Sequence, residues 1–365
     1  MKNAASVGGG MGIYMKSTYS EKDVILLLKD ISGLVEPLST EQRENQIQNG
    51  IHYCEMLPLE YKPSIKYMEA YKFSLDTFAQ QTSDAVCQVS EKIYHNFRNN
   101  EIVLVSLARA GIPIGILIKR YLEHKYQISV SHYAVSIIRD KGIDKNAINY
   151  ILSKHSPKSF QFVDGWIGKG AIQRELDATL NGYPEISTKL AVLSDPANMT
   201  DLCGTHEDIL IPSSCLNCTI SGLLSRTFLR DDIISENDFH GAAFYSELLS
   251  EDLSYEFIEK IQQYFNYDTK LVCTIPAGLS GLTEVKSIAA HFSIDNINLI
   301  KPGIGESTRV LLRRMPWKLL LNPGFQDDPL LNHLIRLANE KNVPIEEYNL
   351  HNYKACGIIK NMADA

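Results

Sequence analysis

Val103-Leu104-Val105-Ser106-Leu107-Ala108-Arg109-Ala110-Gly111-Ile112-Pro113-Ile114-Gly115 carries an apolar run into small residues, one arginine and a proline-started helix. This is a strand–loop–helix pattern. Small residues let a backbone approach an anion, the helix N-terminus offers N–H groups, and Arg109 adds a fork of donors. A plain βα turn with a solvent-facing arginine reads the same way.

A second such element follows. Phe162-Val163-Asp164 leads into Gly165-Trp166-Ile167-Gly168-Lys169-Gly170-Ala171 and then a helix with Arg174, Glu175 and Asp177. An acid at a strand tip can hold two ribose hydroxyls, while Gly168, Gly170 and Ala171 can wrap a phosphate with backbone N–H groups and Lys169 can add charge. A plain turn is the bland alternative. Arg109 and Asp164 lie 55 positions apart (164 − 109), separated by a helix–strand–helix–strand series that can bring both strand tips to one sheet edge. Between them Ser136–Gly142 reads as a mobile lid or a solvated strand end.

Working outward, short apolar runs alternate with helical stretches. Strands are expected at 102–107, 128–138, 160–163 and 190–193, with helices at 113–124, 145–153 and 171–180. Mostly apolar strands separated by helices predict a parallel sheet covered on both faces, so the class is α/β. Upstream, the spacing of Val24, Leu27, Leu28 and Ile31 predicts a helix over 20–34, 36–66 reads as an extended arm, and 68–98 as one or two helices. Met1–Met15 reads as a flexible leader. A second series predicts strands at 271–275, 297–300, 318–321 and 345–348, with helices at 283–292, 306–314 and 329–341. The expected division is an N-terminal leader and helical arm (1–98), a core (99–230) and a C-terminal α/β domain (231–365).

The chain has 365 residues, 44% hydrophobic and 22% charged, which suits two globular units rather than a disordered or fibrous chain. A net charge of −7 gives no global basic field for nucleic acid or an anionic membrane. No apolar run approaches the roughly 20 residues of a membrane helix. Seven cysteines, an odd number, suit reduced thiols and a cytoplasmic setting.

Two further clusters carry chemistry. Lys301-Pro302-Gly303-Ile304-Gly305-Glu306-Ser307-Thr308-Arg309 continues to Arg313-Arg314; Arg309 and Arg313 share a helix face. With Arg139 and Asp195, the residues Lys301, Glu306, Arg309 and Arg313 are candidates for holding a second substrate, against a helix cap with solvated arginines. Cys203, His206, Cys215 and Cys218 resemble a Cys₃His zinc set, though one CxxC lacks a paired knuckle. Cys203 or Cys215 with His206 or His240 could also form a nucleophile–base pair, which needs an activated thiolate and an orienting third group. Small buried thiols are the structural alternative.

The paired loops resemble those of type I phosphoribosyltransferases, with Leu107–Gly111 in the place of the pyrophosphate loop and Phe162–Ala171 in that of the phosphoribosyl pyrophosphate (PRPP) loop. More closely, HYCEMLP, SLARAGIPIG, FVDGWIGKGAI, LIPSSCLNCTISGLLSR and KPGIGESTRVLLRR resemble a bacterial phosphoribosyltransferase family associated with tellurite-resistance and stress gene clusters, some members of which carry the label cysteine protease StiP. The resemblance spans roughly Thr18 to Asn361. It implies a phosphoribosyltransferase-like fold and transfer from Mg²⁺–PRPP to a nitrogen nucleophile with release of pyrophosphate. Arg109, Asp164 and Lys169 would then be catalytic, with Ala108, Ala110, Gly111, Gly165, Gly168, Gly170 and Ala171 around PRPP. The partners expected are PRPP and a small-molecule acceptor, with no nucleic acid, no membrane and a homodimer as candidate assembly. Asp164 stands alone where two adjacent acids are usual, and no Thr-Gly-Gly-Thr-like cradle is present. The rival readings are a cysteine peptidase and a catalytically silent PRPP- or nucleotide-binding protein.

Overall fold

The computed structural model describes residues 15–98, 100–273, 278–325 and 328–360, so the expected leader falls almost wholly outside the described residues. Its first elements are strands β1 (Ile25–Leu27) and β2 (Lys29–Asp30), helix α1 (Thr40–Gln48) and the 33-residue helix α2 (Ile65–Phe97). The core continues with β3 (Val103–Ala108), α3 (Gly111–Tyr126), β4 (Ser131–Ile138), β5 (Gly142–Ile143), α4 (Lys145–Leu152), β6 (Phe160–Val163), α5 (Ala171–Thr179), β7 (Leu190–Ser194) and β8 (Cys203–Thr205). Then follow β9 (Gly241–Ala242), α6 (Ser254–Gln262), α7 (Gly281–His291), β10 (Ile300–Pro302), α8 (Ile304–Arg313), β11 (Pro316–Leu321), α9 (Asn332–Glu340), β12 (Ile345–Glu347) and β13 (Ala355–Ile359).

The central sheet runs β1-β4-β3-β6-β7-β8 with every neighbour parallel, and β5 folds back antiparallel on β4. Alternation along the strands explains its two covered faces: Leu104 points into one cluster with α2 and α3, while Val103 and Val105 join another with α4 and α5. The class is therefore mixed α/β with a mainly parallel core. Strand order reverses direction between β3 and β6, and there the chain is packed tightly. A Cβ on Gly111 would lie 2.4 Å from the Val163 carbonyl oxygen, so only glycine lets the Arg109 loop turn into α3 against β6.

A second sheet, β10-β13-β11-β12, belongs to the C-terminal part; β13 is antiparallel to β10 and β11, and β12 parallel to β11. One face packs on α7 through Val285, Ile288, Leu320 and Ile358. The other side, through α8 and α9, shares the main core cluster by way of Ile304, Leu311, Leu334 and Leu337. Buried acids reinforce this docking. Asp208, just beyond β8, accepts the Ile304 and Lys354 backbone N–H groups at 2.9 Å each.

Several expectations need correction. Residues 20–34 hold no helix: Ile25–Leu27 is an edge strand in register with Tyr133–Val135. Pairing with β4 outweighs a helical spacing only four residues deep. The N-terminal arm is accordingly not purely helical, and the extended segment 36–66 contains α1, closed by a Ser39/Gln42 capping box. The segment after β4 forms the short β4–β5 hairpin, whose turn residue Asp140 has φ 65°. Leu271–Cys273 is not a strand, and 274–275 lie outside the described residues. The strand expected at 297–300 begins only at Ile300.

Candidate functional site

The carboxyl edge of the sheet is where a parallel α/β fold presents its ligands, and β7 and β8 end there side by side. Their register sets Val192 opposite Cys203 and Ser194 opposite Thr205, and the Asp195 N–H donates to the Thr205 carbonyl at 2.9 Å. Asp195 is thereby held next to His206. Its Oδ2 accepts the Met199 and Thr200 N–H groups at 2.7 and 2.8 Å, which fixes the side chain within its own loop. Gly204 seats β8 on α2: a Cβ there would lie 2.4 Å from the Ala85 carbonyl oxygen. Lys92 tightens the same joint, donating to the Cys203 carbonyl at 2.7 Å.

These constraints bring three reactive side chains together. Cys203 Sγ lies 3.5 Å from His206 Nε2, and His206 Nδ1 lies 3.0 Å from the Asp195 main-chain oxygen and 3.6 Å from Asp195 Oδ2. A carbonyl oxygen can only accept, so Nδ1 carries the proton and Nε2 is the unprotonated nitrogen. Cys203 Sγ, 3.5 Å from Nε2 and 3.8 Å from Nδ1, lies beside the ring rather than on the Nε2 lone-pair axis. That is the tautomer a general base requires. Cys203 and Asp195 are fully buried while the His206 side chain is 19% exposed, so the imidazole forms the solvent-facing side of the cluster. Burial pushes the Asp195 carboxyl up to about 7 against the opposing effect of the Thr200 and Met199 N–H groups. Its Oδ1 accepts no hydrogen bond from the described residues.

The other sulfurs sit differently. Cys215 meets Ser74 Oγ at 3.5 Å inside the main core, Cys218 packs with Leu223, Tyr245 and Leu248, and His240 Nδ1 meets Ser136 Oγ at 2.8 Å. The four-residue zinc set of Cys203, His206, Cys215 and Cys218 therefore does not converge. Among the described residues the group placed to share a metal ion is Asp195, Cys203 and His206. A second cysteine–histidine pair, unmarked in the sequence reading, is His52 Nδ1 and Cys54 Sγ at 2.9 Å. The Cys54 thiol also faces the Leu229 carbonyl, burial pushes it up to about 11, and the bonds of His52 Nδ1 are to Cys54 itself. That pair has the features of a structural contact.

The two Gly-rich loops meet at the strand-order switch. Arg109, preceded by a cis peptide after Ala108 and followed by Ala110 and Gly111, donates to the Leu224 carbonyl at 2.7 Å and lies 3.5 Å from both Glu60 and Asn217. Asp164 Oδ1 accepts the Gly165 N–H, and burial raises its carboxyl to about 7. Lys169 donates to the Ile297 and Ile300 carbonyls at 2.6 and 3.2 Å, and burial lowers its ammonium to about 8. Tyr353 donates to the Gly168 carbonyl at 2.6 Å, and Gly170, with φ 75°, starts α5 at Ala171. These groups tie the loop to the C-terminal part.

The proposed second-substrate residues are spread along the same seam. Arg139 reaches Asn298 at 3.3 Å, and Arg313 donates to Asn217 and Ser214. Glu306 pairs with Arg309 at 3.2 Å; burial alone would raise the Glu306 carboxyl, but Arg309, Lys301 and Lys169 together hold it below its ordinary value. A cleft bordered by Trp166, Ser194, Pro196, Asp208, Gly303 and Glu306 runs between the two parts and includes Ser194 and Pro196, the chain neighbours of Asp195.

A family model described as "Tellurite-like stress resistance cysteine protease StiP" matches residues 17–262. The "Cysteine protease StiP" of Acinetobacter baylyi (strain ATCC 33305 / BD413 / ADP1) is 35% identical over 365 residues, covering 94% of each chain. The chain belongs to the StiP family. A second family model, "PELOTA RNA binding domain", matches residues 279–361.

Membership overturns the functional expectation drawn from the paired loops. The StiP family and its Acinetobacter member are named for a cysteine protease, a hydrolase, whereas the loops implied a PRPP-dependent transferase. The peptidase alternative is the one these names favour. They also carry the stress-resistance and tellurite connection. Among the described residues no helix is long and apolar enough to cross a membrane.

Proposed function

We propose that this StiP-family chain is a cysteine-nucleophile hydrolase of the peptidase class, with Cys203 as nucleophile, His206 as general base and acid, and Asp195 orienting the imidazole. The observation that carries this reading is the 3.5 Å approach of Cys203 Sγ to an Nε2 left unprotonated by the His206–Asp195 contact. Nε2 takes the thiol proton, and sulfur attacks the scissile carbonyl carbon, forming a C–S bond. The imidazolium returns the proton to the leaving amine as the C–N bond breaks. Water, deprotonated by the same Nε2, then hydrolyses the thioester and regenerates the thiol. The neighbouring carboxylate stabilises the imidazolium in both halves. Because Cys203 is buried and His206 is not, substrate reaches sulfur from the imidazole side.

The test is peptide hydrolysis by the full chain, read on a denatured-protein or peptide-library substrate, for wild type, Cys203→Ala and Cys215→Ala. Cleavage lost only with Cys203 supports the assignment; cleavage that survives Cys203→Ala removes it.

A second reading concerns residues 279–361, which the RNA-binding family model matches. This segment carries ten Lys and Arg against eight Asp and Glu, a balance of +2 (10 − 8) in a chain of net charge −7. The whole-chain charge that argued against nucleic acid therefore does not describe this part. We propose that it binds structured RNA, bringing RNA-associated protein to the hydrolase. Fluorescence anisotropy with a labelled RNA hairpin at two salt concentrations tests it: saturable binding that weakens with salt is expected, and no binding at low salt refutes it.

A further inference from the structure

The Asp195–Cys203–His206 corner has the donor set of a metal centre as well as that of a nucleophile. Its three ligand atoms, a carboxylate oxygen, a thiol sulfur and an imidazole nitrogen, all lie within 4.8 Å of one another. With zinc–sulfur and zinc–nitrogen bonds of about 2.3 and 2.0–2.1 Å, two such ligands on a tetrahedral ion stand about 3.6 Å apart. Cys203 Sγ and His206 Nε2 stand 3.5 Å apart. Sγ also lies 3.8 Å from Nδ1, so the corner is spaced for an ion once the imidazole turns its Nε2 lone pair toward the sulfur.

Two observations point the same way independently of spacing. His206 donates its other ring N–H to the Asp195 main-chain oxygen at 3.0 Å, the kind of outer bond that orients a metal-bound imidazole and frees the remaining lone pair. Asp195, fully buried, has Oδ1 without a hydrogen-bond donor, although its Oδ2 has two. Buried acceptors are normally satisfied, and a cation would satisfy this one. A thiolate and a carboxylate also neutralise a divalent ion, with the neutral imidazole as third ligand. Mixed sulfur, nitrogen and oxygen donors select zinc-like ions over magnesium or calcium.

We propose that Asp195, Cys203 and His206 form a Zn²⁺-class site, with the fourth position open toward the solvent-facing side of His206, and that metal binding holds the thiol in a resting state. Binding displaces the Cys203 proton to solvent, and the sulfur lone pair that would attack a carbonyl is engaged by the ion. The site stands on the geometry alone; its inhibitory role rests on the reading of Cys203 as nucleophile.

The full chain, stripped with chelator, is titrated with Co²⁺ as the spectroscopic probe and then with Zn²⁺ as competitor. A sulfur-to-cobalt charge-transfer band saturating at one equivalent is expected, absent from Cys203→Ser, weakened about tenfold or more in affinity by His206→Gln, and retained in Cys54→Ser and Cys215→Ser. In unmutated protein, Zn²⁺ should slow alkylation of Cys203 at least about tenfold while leaving the exposed Cys273 unchanged, a readout that needs no variant to fold. No saturable band together with unprotected Cys203, or a band that follows Cys54 instead, overturns the site. Saturable cobalt binding in a chain whose metal-free form cleaves no peptide upholds the site and defeats the hydrolase reading. Cleavage unaffected by Zn²⁺, with Cys203 unprotected, does the reverse.

Discussion

The two corners of the sheet edge hold similar kinds of residue in opposite conditions. At the switch between β3 and β6, Lys169 is used by the Ile297 and Ile300 carbonyls, Arg109 by the Leu224 carbonyl, and Asp164 by the Gly165 N–H. At the β7–β8 corner a thiol lies beside an imidazole whose Nε2 is unprotonated, and among the described residues Asp195 Oδ1 has no donor. Charged loops beside glycines thus read as ligand-binding in sequence while, in the fold, their hydrogen bonds are made to the protein itself: Lys169 joins the core to the C-terminal part, and Arg109 and Asp164 bond within the core. The smaller corner, with fewer charges, keeps a thiol, an imidazole nitrogen and a carboxylate oxygen close together. Residue type alone does not separate these outcomes; what each donor and acceptor is already bonded to does.

The comparison breaks first at Cys203. Cys203→Ala should lower kcat/KM by at least about 10³-fold, since no other group at that corner can form the thioester. Cys54→Ala and Cys218→Ala should stay within about threefold, because Cys218 packs among apolar side chains and the Cys54–His52 contact is a local one with no third group among the described residues orienting the imidazole. Equal losses in all three would mean that the thiols act through packing. Asp195→Asn should have a smaller effect, about 10- to 100-fold in kcat. In serine hydrolases the acid fixes the histidine tautomer and its loss costs about 10⁴-fold. Here the Asp195 main-chain carbonyl fixes the tautomer, and the carboxylate at 3.6 Å contributes charge alone. A 10⁴-fold loss measured by steady-state kinetics would show the side chain, not the main chain, to be the orienting group.

The parts of this arrangement legible in the sequence are those fixed locally. Phe160–Val163 and Val103–Ala108 are apolar runs that only a strand buried on both faces explains, and the structure places strands there. Pro113 marked the start of α3 to within two residues because its fixed φ suits a first helical turn. The Cys203/His206 spacing was equally visible. Asp195 was not visible as their partner, because the contact depends on the parallel register of β7 with β8, and a three-residue strand of Cys-Gly-Thr has no apolar periodicity. The edge strand β1 was misread for the converse reason: its three residues fit a helical stripe until β4 lies alongside. Strand β13 escaped notice because Gly357 interrupts it, and that glycine answers to a distant neighbour, since a Cβ would come within 3.2 Å of the Ser307 Cα in α8.

The switch-point corner is sharpened by removing the bonds that engage it. Lys169→Met leaves the Ile297 and Ile300 carbonyls without their donor and should destabilise the chain by about 1–3 kcal/mol. Urea denaturation measures the loss, and hydrogen exchange should rise around β10. Alkylation of Cys203 should keep its rate. If exchange near β10 stays unchanged while stability falls, the lysine supports something other than this seam.

The smallest expected effect is the pH dependence of Asp164. Burial raises its carboxyl from an ordinary 3.8 to about 7, so between these values the folded chain holds a proton that the unfolded chain has released. Stability therefore falls as pH rises through that window, and the penalty is complete above about 7. Asparagine keeps an oxygen for the Gly165 N–H and cannot ionise. Because the Asp164 side chain is only partly buried, solvent screening leaves about 1–2 kcal/mol of gain for Asp164→Asn at pH 8 and close to none at pH 4. Thermal melts at the two pH values decide the matter. A gain of equal size at both would place the benefit in packing, and the carboxyl would then resemble Lys169, a group engaged in the seam rather than a charge held at the sheet edge against its own solvation.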